Sequence, residues 1–65
     1  MENWQNSITI NPGIRFGKPC IKGTRITVGD ILSWLSEGMS IPEILEDFPE
    51  LKASDVQAAL SFEKQ

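Results

Sequence analysis

The chain has 65 residues, of which 40% are hydrophobic and 23% are charged, with one Cys and no His. This length allows one small domain, because a second hydrophobic core would need about 100 residues more. Chains this small are usually stabilised by disulfides, a metal or oligomerisation. The single Cys20 cannot form an internal disulfide, and without His or a second Cys no structural zinc site can form. We therefore expect a homodimer.

The first four residues contain neither the basic nor the apolar segment of a signal peptide. No stretch approaches the roughly 18 apolar residues that a membrane span needs. One unpaired Cys is typical of a reducing compartment, because secreted chains of this size tend to contain paired cysteines. We expect a cytoplasmic protein with no membrane partner.

The net charge of −3 combines two halves of opposite sign. Residues 1–29 carry four basic residues and one acid, whereas residues 30–65 carry eight acids and two lysines. The basic residues of the first half are Arg15, Lys18, Lys22 and Arg25. This division predicts two surfaces with different partners or two copies that meet basic to acidic, and two ordinary solvated faces are the alternative.

Residues 1–26 are predicted to form an N-terminal β extension. Residues 8–10 alternate as a strand does, and residues 20–21 and 25–28 contain further β-forming residues. Between the last two segments, Gly23 is predicted to have a positive φ. Strands this short are marginal alone, so we expect them to pack on helices or to pair with a second chain.

Three amphipathic helices are predicted within residues 27–64. The first follows Thr27, which is close to a capping box with Asp30. The second follows Ser40, which has Glu43 three residues later as a full capping box.

The third helix has an ambiguous start. Lys52 occupies the position where Thr or Ser would pair with Asp55, while Ser54 with Gln57 offers a second capping box. The apolar face of this helix is predicted to contain Val56, Ala59 and Leu60. The predicted fold is one mainly α domain, with three helices after a short N-terminal β hairpin.

Catalysis is not expected, because without His the chain has no ordinary general base at neutral pH. Cys20 is expected to be a buried, inert thiol. A magnesium site could use the acids of the second helix, but their spacing also describes its solvated face. These acids are Glu43, Glu46, Asp47 and Glu50. No catalytic residue, metal or cofactor is predicted.

The second and third helices have the proportions of a helix-turn-helix, with the first helix as support. Such units often bind DNA through the last helix, but here Asp55 and Glu63 have the wrong sign for contact with phosphates. If the chain binds DNA, the extension is expected to contact phosphates and the last helix to read bases. The expected DNA-binding residues are Arg15, Lys18, Lys22, Arg25 and Gln57.

The two tryptophans, Trp4 and Trp34, are candidate interface anchors. Trp34 falls beside the apolar stripe of the first helix, so it is either a partner contact or part of the rim of the core. The dimer is expected to form through residues 8–10 or through the apolar residues near Trp34.

Residues 17–28 read GKPCIKGTRITV and residues 40–49 read SIPEILEDFP. Together they resemble the signatures of a small prokaryotic family called domain of unknown function 433, and the resemblance spans residues 8–62. It implies a homeodomain-like, three-helix fold with an N-terminal β extension. It also implies the antitoxin of a type II toxin–antitoxin pair, which neutralises a toxin resembling PIN-domain ribonucleases and, as a dimer, represses its own operon.

The sequence departs from the family pattern at Lys52, where Thr or Ser is usual. It also stops soon after Phe62, so the toxin contact is expected to use the folded body or the first ten residues. A PIN-like nuclease presents metal-binding carboxylates, and Arg25 is the residue expected to reach them. Alternatively, Arg25 pairs with an acid such as Asp30 or Asp47. The alternative function is a module that binds a partner without binding DNA.

Overall fold

The computed structural model describes residues 6–63, so Trp4 and Lys64 lie outside the described residues. Within them, two short antiparallel strands precede three helices, and the predicted mainly α fold with an N-terminal hairpin is confirmed. The strands are β1 (Ile8–Thr9) and β2 (Cys20–Ile21), and the helices are α1 (Val28–Ser36), α2 (Ile41–Asp47) and α3 (Ala53–Glu63).

The hairpin pairs Ile8 with Ile21 and Thr9 with Cys20. The β-forming residues 25–28 do not form a third strand. Thr27 pairs with Cys20 through an isolated bridge, flanked by hydrogen bonds from the Ile21 N–H to the Ile26 oxygen at 2.8 Å and from the Val28 N–H to the Pro19 oxygen at 2.9 Å. The reason is local, because Thr27 is the N-cap of α1 and the residues after it must be helical. The extension is therefore a two-stranded hairpin with one added bridge.

Two capping boxes fix the starts of α1 and α2, as predicted. Thr27 Oγ1 accepts the Asp30 N–H at 2.9 Å, and Asp30 Oδ2 accepts the Thr27 N–H at 3.1 Å. In α2, Ser40 Oγ accepts the Glu43 N–H at 3.3 Å, and Glu43 Oε1 accepts the Ser40 N–H at 2.8 Å. At the start of each helix, two side chains therefore accept hydrogen bonds from two backbone N–H groups that lack an intrahelical partner.

The structure resolves the ambiguous start of α3. Asp55 Oδ2 accepts the Lys52 N–H at 2.9 Å, and α3 begins at Ala53. Lys52 has no side-chain acceptor, so this cap is half of a capping box. The alternative start at Ser54 is wrong.

The core lies where α3 packs against α1, α2 and β1. Ile31, Ile44 and Val56 have no exposed surface, and Ile21 from β2 is 1% exposed. On α3, Ala59 is buried as predicted, whereas Leu60 is only partly buried. Ala58, outside the predicted apolar face, is 1% exposed and also belongs to the core. Small side chains on two faces let α3 lie close to its neighbours.

Candidate functional site

A cleft of about 390 Å³ lies between the extension, the start of α1 and the end of α3. It has both charged and apolar walls. Its charged lining residues are Arg15, Lys18, Asp30 and Glu63, and its apolar side includes Leu32 and Phe62. Because three segments that are distant in sequence meet here, the cleft is a product of the tertiary fold.

An ion pair crosses one wall of this cleft. Arg15 Nη1 lies 3.3 Å from Asp30 Oδ2 and donates to the Arg25 carbonyl oxygen at 2.9 Å. The suggested pairing of Arg25 with Asp30 or Asp47 is wrong: among the described residues Asp30 pairs with Arg15, and Arg25 forms no ion pair. The side chain of Arg25 is exposed, while its backbone is held by Arg15.

Three consecutive residues before β2 have left-handed backbone conformations. The φ angles are 51° at Arg15, 60° at Phe16 and 81° at Gly17. The turn is closed by the Gly17 N–H to the Ile14 oxygen at 3.1 Å and the Lys18 N–H to the Arg15 oxygen at 3.2 Å. Each non-glycine residue in this region costs about 1–2 kcal/mol. The left-handed turn, residues 15–17, is therefore a strained element at the edge of the cleft.

Phe16, in the middle of the left-handed turn, is 96% exposed. Sequence reasoning missed it as a functional candidate. Gly17 signals a positive φ, but Arg and Phe carry no such signal. The exposed aromatic ring could be found only from the structure.

The structure brings together some of the predicted DNA-binding residues and separates others. Arg15 and Lys18 line the cleft, and Arg25 joins them through its carbonyl oxygen. Lys22 is exposed on the turn after β2, where its N–H donates to the Ser7 oxygen at 2.7 Å. Gln57 is exposed on α3, outside the lining of the cleft. The four predicted basic residues therefore all lie in the extension, whereas Gln57 lies on α3 outside the cleft.

Trp34, the predicted partner contact, stacks on Phe48 with ring centroids 4.3 Å apart and planes 8° from parallel. The two rings join α1 to the residue that follows α2. Both residues are partly buried and pack against the core. This stacking agrees with the interpretation of Trp34 as part of the rim of the core. The Phe48 ring covers one face of the indole ring.

Cys20 is 1% exposed, and its Sγ donates to the Lys18 oxygen at 3.3 Å. Burial makes this thiol a packing residue in β2. Within residues 6–63, no group of three or more His, Cys, Asp or Glu side chains is arranged to hold a metal ion.

The acids of α2 form a separate exposed face. The Ser40 backbone N–H, and secondly its hydroxyl, lower the pKa of Glu43 from its ordinary value by hydrogen bonding. Glu46, Asp47 and Glu50 are also exposed. These acids lie on α2 and, for Glu50, on the turn after it, outside the lining of the cleft.

None of the helices described between residues 6 and 63 has the length and apolar character needed to cross a bilayer.

Known proteins share both the sequence and the fold. Residues 8–62 match the family described as Protein of unknown function (DUF433). A crystal structure of a DUF433 member protein from Anabaena variabilis ATCC 29413 superposes with a TM-score of 0.89 at 36% identity. The match covers 94% of this chain and 60% of the Anabaena chain.

A relative from Sinorhizobium fredii (strain NBRC 101917 / NGR234), the uncharacterised protein y4eO, is 35% identical over 52 residues. These residues make up 80% of this chain and 24% of y4eO. The chain thus spans about a quarter of that relative. Since the family match covers nearly all of the described residues, the chain belongs to the DUF433 family.

Proposed function

We propose that this chain is the antitoxin of a type II toxin–antitoxin pair, which neutralises a PIN-like nuclease and, as a dimer, binds operator DNA to repress its own promoter. The observation that carries the proposal is the division of charge between the two parts of the fold. Residues 6–26 contain four basic residues and no acid, whereas residues 27–63 contain eight acids and one lysine. A basic extension on an acidic body favours binding of an anionic partner through the extension.

The extension suits a nuclease whose active site contains metal-binding carboxylates. Asp30 engages the guanidinium of Arg15, so the cations left for a partner are Lys18, Lys22 and Arg25, all of them exposed. Arginine binds carboxylates through two parallel hydrogen bonds. The Arg25 backbone is already fixed by Arg15, which reduces the entropy lost when its side chain binds.

Inhibition of the toxin tests this role directly. The proposal predicts that a PIN-like nuclease is encoded next to this chain. This nuclease is purified, and its cleavage of RNA is measured as the chain is added. We expect cleavage to stop near equimolar chain, and Arg25→Glu to weaken inhibition at least about tenfold. Lys52→Glu, the same reversal at an exposed lysine outside the extension, is the matched control and should inhibit like the unchanged chain. Undiminished cleavage at excess chain would refute the role.

DNA binding is supported by α2, the turn after it and α3, which have the order of a helix-turn-helix. Gln57 is exposed on α3, and a glutamine amide can bond two atoms of an adenine edge in the major groove. The acids exposed on α2 oppose phosphate contact there, so phosphate contacts are expected from Lys18, Lys22 and Arg25.

A mobility-shift titration with the chain's own promoter, at about 50 mM salt, tests DNA binding. We expect Lys22→Glu to weaken binding to promoter and unrelated DNA alike, and Gln57→Ala to weaken promoter binding selectively by about 1–3 kcal/mol. No shift, with or without the toxin, would leave the alternative function: a module of the same fold that binds its partner and not DNA. The acidic face of α2 is the observation that favours this alternative.

A further inference from the structure

Both the solvent exposure and the backbone conformation of Phe16 are unfavourable for a phenylalanine. Its ring is 96% exposed, and its φ is 60°, a conformation that Gly or Asn adopts at lower cost. A single exposed apolar residue is ordinary on a protein surface. An aromatic ring held outward by a strained backbone is different, because strain of this kind accompanies binding sites. Phe16 is therefore a candidate anchor for an interface.

The cleft offers a site that fits such a ring. Phe16 lies in the chain between Arg15 and Lys18, two residues that line the cleft. Leu32 and Phe62 contribute apolar surface inside it. A cavity of about 150 Å³ is enough for benzene, so the cleft, at about 390 Å³, has room for a phenyl ring. The turn that carries the ring thus borders a cleft large enough for a phenyl ring.

We propose that the cleft is occupied by a second copy of this chain: in a two-fold symmetric dimer, Phe16 of each protomer inserts into the cleft of the other. A two-fold axis that passes between the ring and the cleft of one protomer brings each ring to the cleft of the other protomer. Both contacts then form together, as a self-complementary interface requires. The inference rests on the dimer of the proposed function and specifies its interface.

The charges around the cleft favour a second copy over nucleic acid. Arg15 pairs with Asp30 within the chain, and Lys18 and Glu63 are the one cation and one acid of the lining left to face a partner. A surface with equal numbers of both signs can face itself with opposite charges opposed, whereas phosphates would meet the acid. In the dimer Lys18 faces the second copy, and the exposed cations of the extension that remain available for a toxin or DNA are Lys22 and Arg25, which lie outside the cleft lining.

The size of the contact predicts a weak dimer. A standard interface buries about 800 Å² on each partner, which is nearly a fifth of the 4328 Å² surface of this chain. One aromatic ring contributes about 150–250 Å². We therefore expect a dimer of the transient class, populated as the concentration of the chain rises.

Sedimentation equilibrium of the full chain, from about 1 μM to about 1 mM, measures this association. The mass is expected to rise from 7.3 kDa towards twice that value. Phe16→Asn removes the ring but tolerates the left-handed backbone, and we expect it to raise the dissociation constant about 30-fold or more.

A second variant acts from the other side of the interface. Gly29 lines the cleft, and a Cβ there meets only Thr27 Oγ1, at 3.7 Å. Gly29→Gln should therefore keep α1 intact and obstruct the cleft, with a similar loss of association. Ile10→Asn separates this interface from the one expected over residues 8–10, because Ile10 is 59% exposed but does not line the cleft. It should leave the dissociation constant unchanged, and circular dichroism checks that all three variants are folded.

Two results would overturn the proposal. One is a mass that stays at 7.3 kDa over the whole range. The other is an equal loss of association in Ile10→Asn, which would favour the interface expected over residues 8–10 or a non-specific apolar contact. Toxin inhibition is measured separately, so a monomeric chain that still inhibits the nuclease would reject this interface and leave the antitoxin role standing.

Discussion

Arg15 and Asp30 join the N-terminal extension to the first turn of α1 across 3.3 Å. The same carboxylate oxygen, Asp30 Oδ2, also accepts the Thr27 N–H of the capping box. One side chain therefore both caps the helix and holds the left-handed turn beside the cleft. The local cap and the tertiary contact are coupled through this atom.

Removing this carboxylate should destabilise the fold. We expect Asp30→Ala to lower the free energy of unfolding by about 1 kcal/mol, mostly through the lost cap, since an exposed ion pair adds little. In thermal denaturation this corresponds to a fall in Tm of about 4–8 °C. Glu37→Ala, which removes an exposed acid at the other end of α1, is the control. Equal losses in the two variants would contradict the dual role of Asp30.

Two glycines should respond to alanine with opposite signs. Gly38 ends α1 at φ 100°, so Gly38→Ala should destabilise the chain by about 1 kcal/mol. Gly29 lies inside α1 without a positive φ and has room for a Cβ, so Gly29→Ala should stabilise it by about 0.5–1 kcal/mol. Urea denaturation of the two variants measures both effects, and shifts of the same sign would be inconsistent with these conformations.

Relieving the strain at Phe16 should stabilise the monomer. Because Asn tolerates the left-handed conformation, we expect Phe16→Asn to raise the free energy of unfolding by up to about 1 kcal/mol at concentrations too low for association. Denaturation at low micromolar chain measures this change. A lower stability would mean that the Phe16 ring contributes contacts within its own chain.

The cap of α2 should make stability depend on pH in the acid range. Hydrogen bonds from Ser40 lower the pKa of Glu43 below the ordinary 4.5. The stabilisation is therefore present above pH 4.5 and is lost as the pH falls through the lower pKa of the folded state. Melting curves at a series of acid pH values should show a shallower decline in Glu43→Gln than in the unchanged chain. Glu46→Gln, which leaves the capping box intact, should keep the full decline.

The parts of the fold that depend on neighbours in sequence could be predicted. Thr27 with Asp30 and Ser40 with Glu43 cap their helices over three residues, so their side chains alone specify the contact. Residues 25–28 form no third strand because two local preferences compete there, and the cap at Thr27 overrides β propensity.

The candidate site depends on contacts that the sequence pattern does not encode. The ion pair of Arg15 joins residues fifteen positions apart. The left-handed conformation at Phe16 has no signal in its residue type, since only Gly, Asn and Asp favour it. Burial of Ala58 depends likewise on how closely α3 approaches its neighbours. Tertiary packing thus decides the cleft and the exposed ring.

The proposal predicts that the gene beside this chain's own encodes a PIN-like nuclease, and growth of cells that express this nuclease is the most direct test of the antitoxin role. Co-expression of this chain is expected to restore growth, Lys52→Glu should restore it equally, and Arg25→Glu should not. Growth arrest that persists with the unchanged chain present at a higher level than the nuclease would contradict the account.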